Sequence, residues 1–329
     1  MGSRQQTQQR LTVNGGRFLT LGTEKMDATI EKRMREIGGE SVSFDVPMSQ
    51  YTTFRVGGNV DAMYRARDLE ELKEMMAFLM DEGIAYLIMG RGSNLLVRDG
   101  GFNGIAIILD GAFTSIERTT PAEPYISAGA GLLLHKLVDS CTKKGLAGAE
   151  FLAGIPGTVG GGVAMNAGSG GEEIKGLIRE VTVLTRSGVV DRRDSSVLTF
   201  QYRGLDLHKG EIILHAGLTL RLDKPASIRK RVSSNIKRRK ERFPFDMPSA
   251  GSVFKNPDGD YAGRLIDAAG LKGRRIGEAM ISPKHANFIV NSGRASASDI
   301  VALMDLARAK VSEMFNIQLI PEIKVVGKG

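Results

Sequence analysis

The stretch LAGIPGTVGGGVAMNAGSGG, residues 152–171, holds eight glycines in twenty residues and no charged side chain. Glycine loses more conformational freedom on folding than any other residue, so such a concentration is costly unless the backbone must approach something closely. A flexible linker is the plain alternative. Linkers of that kind are polar and serine-rich, whereas Leu152, Ile155, Val159, Val163 and Met165 need burial. Two further glycine turns, GRGSNL at Gly90 and GAGLLL at Gly129, each follow an apolar run of strand length. Backbone amides left uncovered by side chains can cradle phosphate oxygens. Neither turn has the third glycine of the Rossmann fingerprint, and no G-x-x-x-x-G-K-[ST] run occurs. A lone G-x-G is weak evidence, but three glycine loops behind strands in one region point to several backbones converging on one extended ligand.

With 329 residues, 42% of them hydrophobic, the chain can bury the cores of two or three domains. Thr23 is positioned to cap a helix whose apolar residues Ile30, Met34 and Ile37 end at Gly38 and Gly39. Asp68 with Glu71 reads as a capping box for a second helix, stopped at Gly83. IAYLIM and GIAIIL read as strands joined by GRGSNLLVRDGGFN, and YISAGAGLLLHKLVDSCTKKG as strand, glycine turn and helix. EVTVLT, GVVDRRD and EIILHAGLTLRL predict a meander, and two more helices are expected near 261–269 and 296–315. The single cysteine, Cys141, excludes an intramolecular disulfide, and no Cys or His cluster has zinc spacing, so no metal is expected. A cytoplasmic location fits this usage. No run approaches the ~18 apolar residues of a membrane span, so no membrane insertion is expected.

The net charge of +8 is concentrated in RKRVSSNIKRRKER, residues 229–242, which alone carries +7. Ile228, Val232 and Ile236 recur every four residues there, the pattern of a helix with one apolar stripe and a cationic face. A solvated face and electrostatic steering of an anionic small molecule are both open readings. Nucleic acid is the weaker one, because no aromatic residues interleave with the charges to stack on bases.

YTTFRVGG (51–58), GRGSNLLV (90–97), IPGTVGGGVAMNAG (155–168), AGSVFKNP (250–257), AGRLIDAAGLKG (262–273), SPKHANFIVN (282–291) and PEIKVVG (321–327) occur in an order that closely resembles the UDP-N-acetylenolpyruvoylglucosamine reductase (MurB) family. The resemblance covers residues 26–327. It implies an α+β fold, with a vanillyl-alcohol-oxidase-type (PCMH-type) FAD-binding domain of two α+β subdomains and a C-terminal α+β substrate domain. The ranges expected are 23–111 and 112–225 for the FAD-binding subdomains and 226–329 for the substrate-binding domain. Residues 1–22 match nothing in the family and are expected to be a disordered extension. The activity implied is NADPH-dependent, FAD-mediated reduction of UDP-N-acetylglucosamine enolpyruvate to UDP-N-acetylmuramate for peptidoglycan.

Motif by motif, the resemblance makes Arg203 the cation and Glu322 the protonated carboxyl group that meet the developing enolate, and Ser252 the proton donor. The cofactor set it implies is Thr53, Arg55 and Gly57; Gly90, Arg91, Gly92, Ser93, Asn94 and Leu95; Gly129; and Gly154, Ile155, Pro156, Gly157, Thr158, Gly160, Gly161, Ala164, Asn166 and Gly168. Substrate contacts implied are Arg242, Asn256, His285 and Lys324, although a semi-buried histidine and an exposed strand lysine are ordinary alternatives for the last two. FAD is expected to bind non-covalently. His135 and Cys141 lie near a flavin loop, but the helical stripe Leu134, Leu137, Val138, Cys141 marks a core cysteine. The chain departs from the family at Phe243, where glutamine commonly precedes the proline, and at Glu278, which replaces a glycine. The short stretch 203–252 resembles the version of the family without the inserted tyrosine-bearing loop. A flavin oxidase of the same fold would explain the glycine loops but neither the serine motif nor the terminal glutamate.

Overall fold

The structure, a computed structural model, describes residues 26–118, 120 and 123–329. The extension read over residues 1–22 and the cap read at Thr23 lie outside the described residues. Helix α1 (Ala28–Gly38) is capped by Asp27, whose carboxylate accepts from the amides of Thr29 and Ile30. Its stripe Ile30, Met34, Ile37 packs inward as the spacing predicts. Helix α2 (Leu69–Asp81) is capped by Asp68, which accepts from the Glu71 amide at 2.9 Å. The reciprocal half of the expected capping box is replaced: the Glu71 carboxylate accepts the Tyr64 hydroxyl at 2.6 Å. Tyr64 is fully buried, and an unpaired phenol there would cost more than the second bond of a cap contributes.

Strands β1 (Val42–Pro47), β2 (Asn59–Ala66), β3 (Tyr86–Met89) and, beyond the short β4 (Leu95–Val97), β5 (Phe102–Leu109) build the first sheet in the order β1-β2-β5-β3. β5 runs parallel to both β2 and β3. Helices α1 and α2 cover one face, setting Leu72, Met75 and Leu79 against Ala62, Tyr64, Ile105 and Ile107. Val60, Met63 and Ala106 face the other way, toward Met48, Leu95 and Val97. Cover on both faces is why GIAIIL is uninterrupted apolar sequence rather than an alternation.

The expected meander forms an antiparallel sheet with β6 (Ile116–Glu117) and β7 (Tyr125–Gly129) at one edge, then Ile212–Thr219, Ile178–Leu184 and Val190–Asp194. Helices α3 (Leu134–Lys143) and α4 (Val159–Ala164) contribute to a core continuous with that of the first sheet. The basic segment is α5 (Pro225–Arg242); of its stripe, Ile228 is buried, and Val232 and Ile236 pack against the same core. Arg231 fixes the helix by donating to Glu150 from Nε and Nη2, at 2.9 and 2.7 Å, and to Asp223 at 2.6 Å.

The remaining chain carries α6 (Ala262–Ala268), α7 (Ala297–Phe315) and a three-stranded sheet of Arg275–Ile276, Ala279–Ile281 and Ile289–Asn291. Its core, with Leu265, Ile300, Leu303 and Val311, also takes in Phe54, Val56 and Leu96 from the first unit. The strand Lys324–Val326 then returns to pair in parallel with β4. The architecture is α+β, and among the described residues no helix is long and apolar enough to cross a membrane.

A carboxylate from the first unit also caps a helix of the last. Asp99 accepts from the Ala297 amide at 2.7 Å, the Ser298 amide at 2.9 Å and the Ser298 hydroxyl at 2.6 Å. Burial pushes the Asp99 carboxyl up, but the bonds from Ser298 and Ala297 together outweigh it and hold the group below its usual value. A carboxyl with a depressed folded-state pKa contributes stability above its unfolded pKa of about 3.9, and loses it as pH falls through the folded value. Replacing Asp99 with alanine is expected to cost about 1 kcal/mol at pH 7, in the lower half of the capping range because the residue is exposed. In urea titrations the two proteins should converge in stability below about pH 4; equal stability at pH 7 would remove this cap from the account.

Candidate active site

Two adjoining cavities, of about 930 and 790 Å³, run between the units and share Gly90, Arg91, Pro156, Thr158, Arg239, Gly251 and Phe288 as walls. The first is bounded by residues 51–53, Arg55, residues 131–133, Lys136 and the loop 244–249. The second holds residues 90–95, Ile155, Gly157, Gly161, Ala164, Gly168, Arg203, Ser252 and Glu322. Together they form one long cleft, suited to an extended ligand rather than a compact one.

The glycine loops build this cleft by two different means. Ser93 Oγ donates to the Pro156 carbonyl at 2.7 Å, tying the Gly90 loop to the long glycine loop 152–171. Thr158 caps α4 by accepting from the Gly161 amide at 3.3 Å. A Cβ at Gly160 would stand 2.7 Å from Ala130 Cβ, one at Gly90 2.5 Å from Thr158 Oγ1, and one at Gly57 2.9 Å from Val97 Cβ. At Gly129 it would meet the backbone of Phe113, and at Gly154 it would come 3.3 Å from Arg239 Cδ and Nε. These glycines serve close packing of protein on protein. Gly157, with φ 153°, has nothing nearer than Ser93 Oγ at 3.6 Å and opens on the cleft. Of the expected cofactor residues, Gly57, Gly129, Gly154, Gly160 and Asn166 therefore stand behind the wall, and the others line it.

Asn166 is fully buried and engaged by protein. Its Nδ2 donates to Glu173 and to the Gln201 carbonyl, both at 3.0 Å, and its Oδ1 accepts from the Lys175 amide at 3.3 Å. Gln201 opens a hairpin, Phe200–Gln201 with Gly204–Leu205, whose turn presents Tyr202 and Arg203. Arg203 has φ 58°, a left-handed conformation that costs a non-glycine residue about 1–2 kcal/mol. From there its Nε reaches Glu322 Oε1 at 3.0 Å.

Glu322 is placed by backbone. Its amide donates to the Val253 carbonyl at 2.7 Å, its carbonyl accepts from Asn94 Nδ2 at 3.1 Å, and the Lys324 amide donates to the Asn94 carbonyl at 2.9 Å. Ser252 bridges to Phe288, and Asn287 binds both the amide and the carbonyl of Phe254, at 3.0 and 2.7 Å. Arg203, Ser252 and Glu322 are thus brought to one cavity from three distant segments. Burial raises the Glu322 carboxyl pKa despite the opposing charges of Arg203 and Lys255.

Arg242, Asn256, His285 and Lys324 line the same cavity. Asn256 Oδ1 also accepts from the Ala262 amide at 3.1 Å, so it helps start α6. His285 lies 5.2 Å from Phe243 and 5.1 Å from Phe288, ring to ring. Burial, then Arg242 and Lys272, lower its pKa, so it is neutral at pH 7. Lys324 is exposed by area, yet it faces the cleft, whose walls desolvate its ammonium and lower its pKa. His135 is exposed and Cys141 is buried, its thiol pushed up to about 12 by burial, and neither lines the cleft.

Several residues of the site were not singled out from sequence, Arg239 foremost among them. Arg239 lines both cavities, donates from Nη1 to Ser169 Oγ at 3.2 Å and stacks over Phe243 and Phe245 at 5.1 and 5.6 Å. Its Nε is buried with no hydrogen-bond partner among the described residues. Burial and then Arg238 lower its pKa to about 10, so it keeps its charge. A cation without a counter-ion among the described residues, at the junction of two cavities, fits an anionic group of a ligand spanning both. The signal was present, because position 239 continues the apolar stripe of α5 by one step of three.

Two family models match: an FAD binding domain over residues 60–194, and the C-terminal domain of UDP-N-acetylenolpyruvoylglucosamine reductase over residues 243–326. UDP-N-acetylenolpyruvoylglucosamine reductase of Syntrophus aciditrophicus is 40% identical over 303 residues, 92% of this chain and 97% of that one. The enzyme of the same description from Moorella thermoacetica is 44% identical over 284 residues, 86% of this chain and 92% of its own. Among solved structures, UDP-N-acetylenolpyruvylglucosamine reductase from Thermus caldophilus superposes with a TM-score of 0.74 at 37% identity, covering 86% of this chain and 98% of that one.

The two kinds of glycine separate by experiment. Gly160→Val overpacks against Ala130 and is expected to destabilise the flavin-free protein by about 1–3 kcal/mol. Gly157→Val has room for its Cβ but strains a backbone held at φ 153°, so the flavin-free Tm should fall as well, and flavin lost on gel filtration beyond what Gly160→Val shows would be the mark of a cleft-facing residue. Full flavin content in both purified variants would show that the loop does not face the cofactor.

Proposed function

Because the chain belongs to the UDP-N-acetylenolpyruvoylglucosamine reductase family, we propose that it reduces the enolpyruvyl ether of UDP-N-acetylglucosamine to the lactyl ether of UDP-N-acetylmuramate, in the cytoplasm. It is a flavin-dependent oxidoreductase with FAD as cofactor and NADPH as reductant. The chemistry that bound FAD would supply is transfer of a hydride equivalent from NADPH to the enol ether. The glycine loops, Thr53, Arg55 and Arg239 would hold it, without a covalent bond. Arg238, Arg242, Lys272 and Lys284, which line the second cavity, favour the diphosphates of substrate and NADPH and steer both inward.

The chemistry left to the protein concerns charge and one proton. As the methylene carbon of the substrate is reduced, negative charge accumulates on the neighbouring carbon and its carboxylate. Arg203 meets that charge, and protonated Glu322 donates a hydrogen bond to it. Donors aimed at developing charge typically contribute ~100- to 1,000-fold each. The Ser252 hydroxyl gives its proton to the carbon that bears the carboxylate and regains one from solvent. A serine is a weak acid, but an enolate is basic enough to take a well-aimed proton. The observation that carries this reading is the Arg203–Glu322 contact at 3.0 Å in the cavity that Ser252 also lines.

Stopped-flow absorbance of the flavin resolves the two halves of the cycle. Ser252→Ala should leave reduction by NADPH nearly intact and slow reoxidation by the enolpyruvyl substrate ~100- to 10,000-fold; the reverse pattern would remove serine as the proton donor. Glu322 acts in its protonated form, so reoxidation should hold up above the ordinary carboxylate range and fall as pH rises through its raised pKa. Glu322→Gln, which keeps a neutral donor at every pH, should lack that alkaline limb, whereas Glu322→Ala should be slow at every pH.

A further inference from the structure

The turn that carries Arg203 is not fixed by its own hairpin. Only two pairs, Phe200 with Leu205 and Gln201 with Gly204, precede it. Of the two corner residues, Arg203 alone has a positive φ, 58°. That is the signature of a type II turn, whereas two-residue hairpins favour types I′ and II′, whose twist matches the strands. Types I and II differ by a flip of the peptide between the two corner residues, here the one whose carbonyl is Tyr202 and whose amide is Arg203. A flip to type I would give Arg203 a negative φ, which every non-glycine residue prefers, and would tilt the base of its side chain, enough to loosen the 3.0 Å contact with Glu322.

Two side chains from outside the hairpin oppose that flip. Lys255 Nζ donates to the Tyr202 carbonyl, the oxygen of the peptide in question, at 3.4 Å. Asn166 Nδ2 donates to the Gln201 carbonyl at 3.0 Å and anchors the base of the turn. Asn166 is itself left-handed, with φ 41°, and its amide is completed by Glu173 and Lys175. Lys255 belongs to the segment of Ser252, and Asn166 to the end of the glycine loop.

We propose that Lys255 is a positioning residue that latches the Tyr202–Arg203 peptide in its type II orientation, with Asn166 anchoring the turn, so that Arg203 is delivered to Glu322 in register with Ser252. The inference rests on the functional reading above for its kinetic consequence, but not for its structural one. The charged groups facing the Glu322 carboxyl are Arg203 from the turn and Lys255 from the serine segment, and both hold its pKa down against burial; Lys324 follows on the same segment.

Lys255→Met, prepared as the FAD-loaded enzyme, tests this in two independent ways. A crystal structure should show the Tyr202 carbonyl rotated and Arg203 at negative φ; an unchanged turn overturns the proposal. Titration of the side-chain carboxyl carbon in enzyme labelled with ¹³C-glutamate, assigned by its loss in Glu322→Gln, should move upward, because one opposing charge is gone and the other displaced. Reoxidation by the enolpyruvyl substrate should lose about 10- to 100-fold in limiting rate with little change in apparent affinity, the scale of a misplaced catalytic group, while reduction by NADPH stays within about twofold. Lys255→Arg, which restores charge and donors, should recover the turn, the titration and the rate. If the unaltered enzyme is not reoxidised by this substrate, the functional reading fails while the crystallographic test still decides the latch.

Discussion

The site exists because Lys324–Val326 pairs in parallel with Leu95–Val97. That short ladder sets Asn94 against the backbone of Glu322 and Lys324 from one side, while Val253 takes the Glu322 amide from the other. A carboxyl group, a serine and a flavin loop are thereby fixed mainly by backbone hydrogen bonds, which tolerate little displacement, with one side-chain bond from Asn94 added. Asn291 Nδ2, donating to the Phe54 carbonyl at 3.1 Å, and the shared core around Phe54, Val56 and Leu96 hold the same junction from below. Without this pairing, the cavity would lose its rear wall and Arg203 its partner.

The basic helix shows how a charged segment can be at once structural and functional. One end is fastened by Arg231 to the nearly buried Glu150 and to Asp223, and Asn235 donates to the Glu150 carbonyl at 2.9 Å. With that face satisfied, the last two turns carry Arg238, Arg239 and Arg242 into the cleft. Arg231 is paired and orients the helix, Arg238, Arg239 and Arg242 line the cleft without an ion pair among the described residues, and Arg229, Lys230, Lys237 and Lys240 remain on the solvated face.

Much of this was legible in the sequence. The spacing of Leu134, Leu137, Val138 and Cys141 gave α3 its buried stripe, and the ordered motifs around Arg203, Ser252 and Glu322 named residues that share one cavity. What escaped was whatever depended on a partner far along the chain. Leu95–Val97 has three residues, too few for any period to register, and is a strand only because residue 324 lies beside it. Glu71 looked like half of a capping box, but the local pattern carries no trace of the Tyr64 hydroxyl. Asn166 and Gly160 sit in the same glycine-rich run as Gly157, and composition cannot tell a residue that faces a ligand from one that admits a neighbouring backbone.

The pairing of β4 with Lys324–Val326 also orders events during synthesis. The first sheet can form as soon as Leu109 is made, but β4 meets its partner only after residue 326, and Gly100 and Gly101 exchange hydrogen bonds with Lys328. At ~5–20 residues per second, that partner emerges roughly 10–50 s after β4 itself. For that interval the ribosome holds a chain whose flavin loops have an open edge and no rear wall. The cofactor cleft is therefore the last part of this fold to be completed in the order of synthesis, and FAD captured earlier would meet its loops before their rear wall is in place.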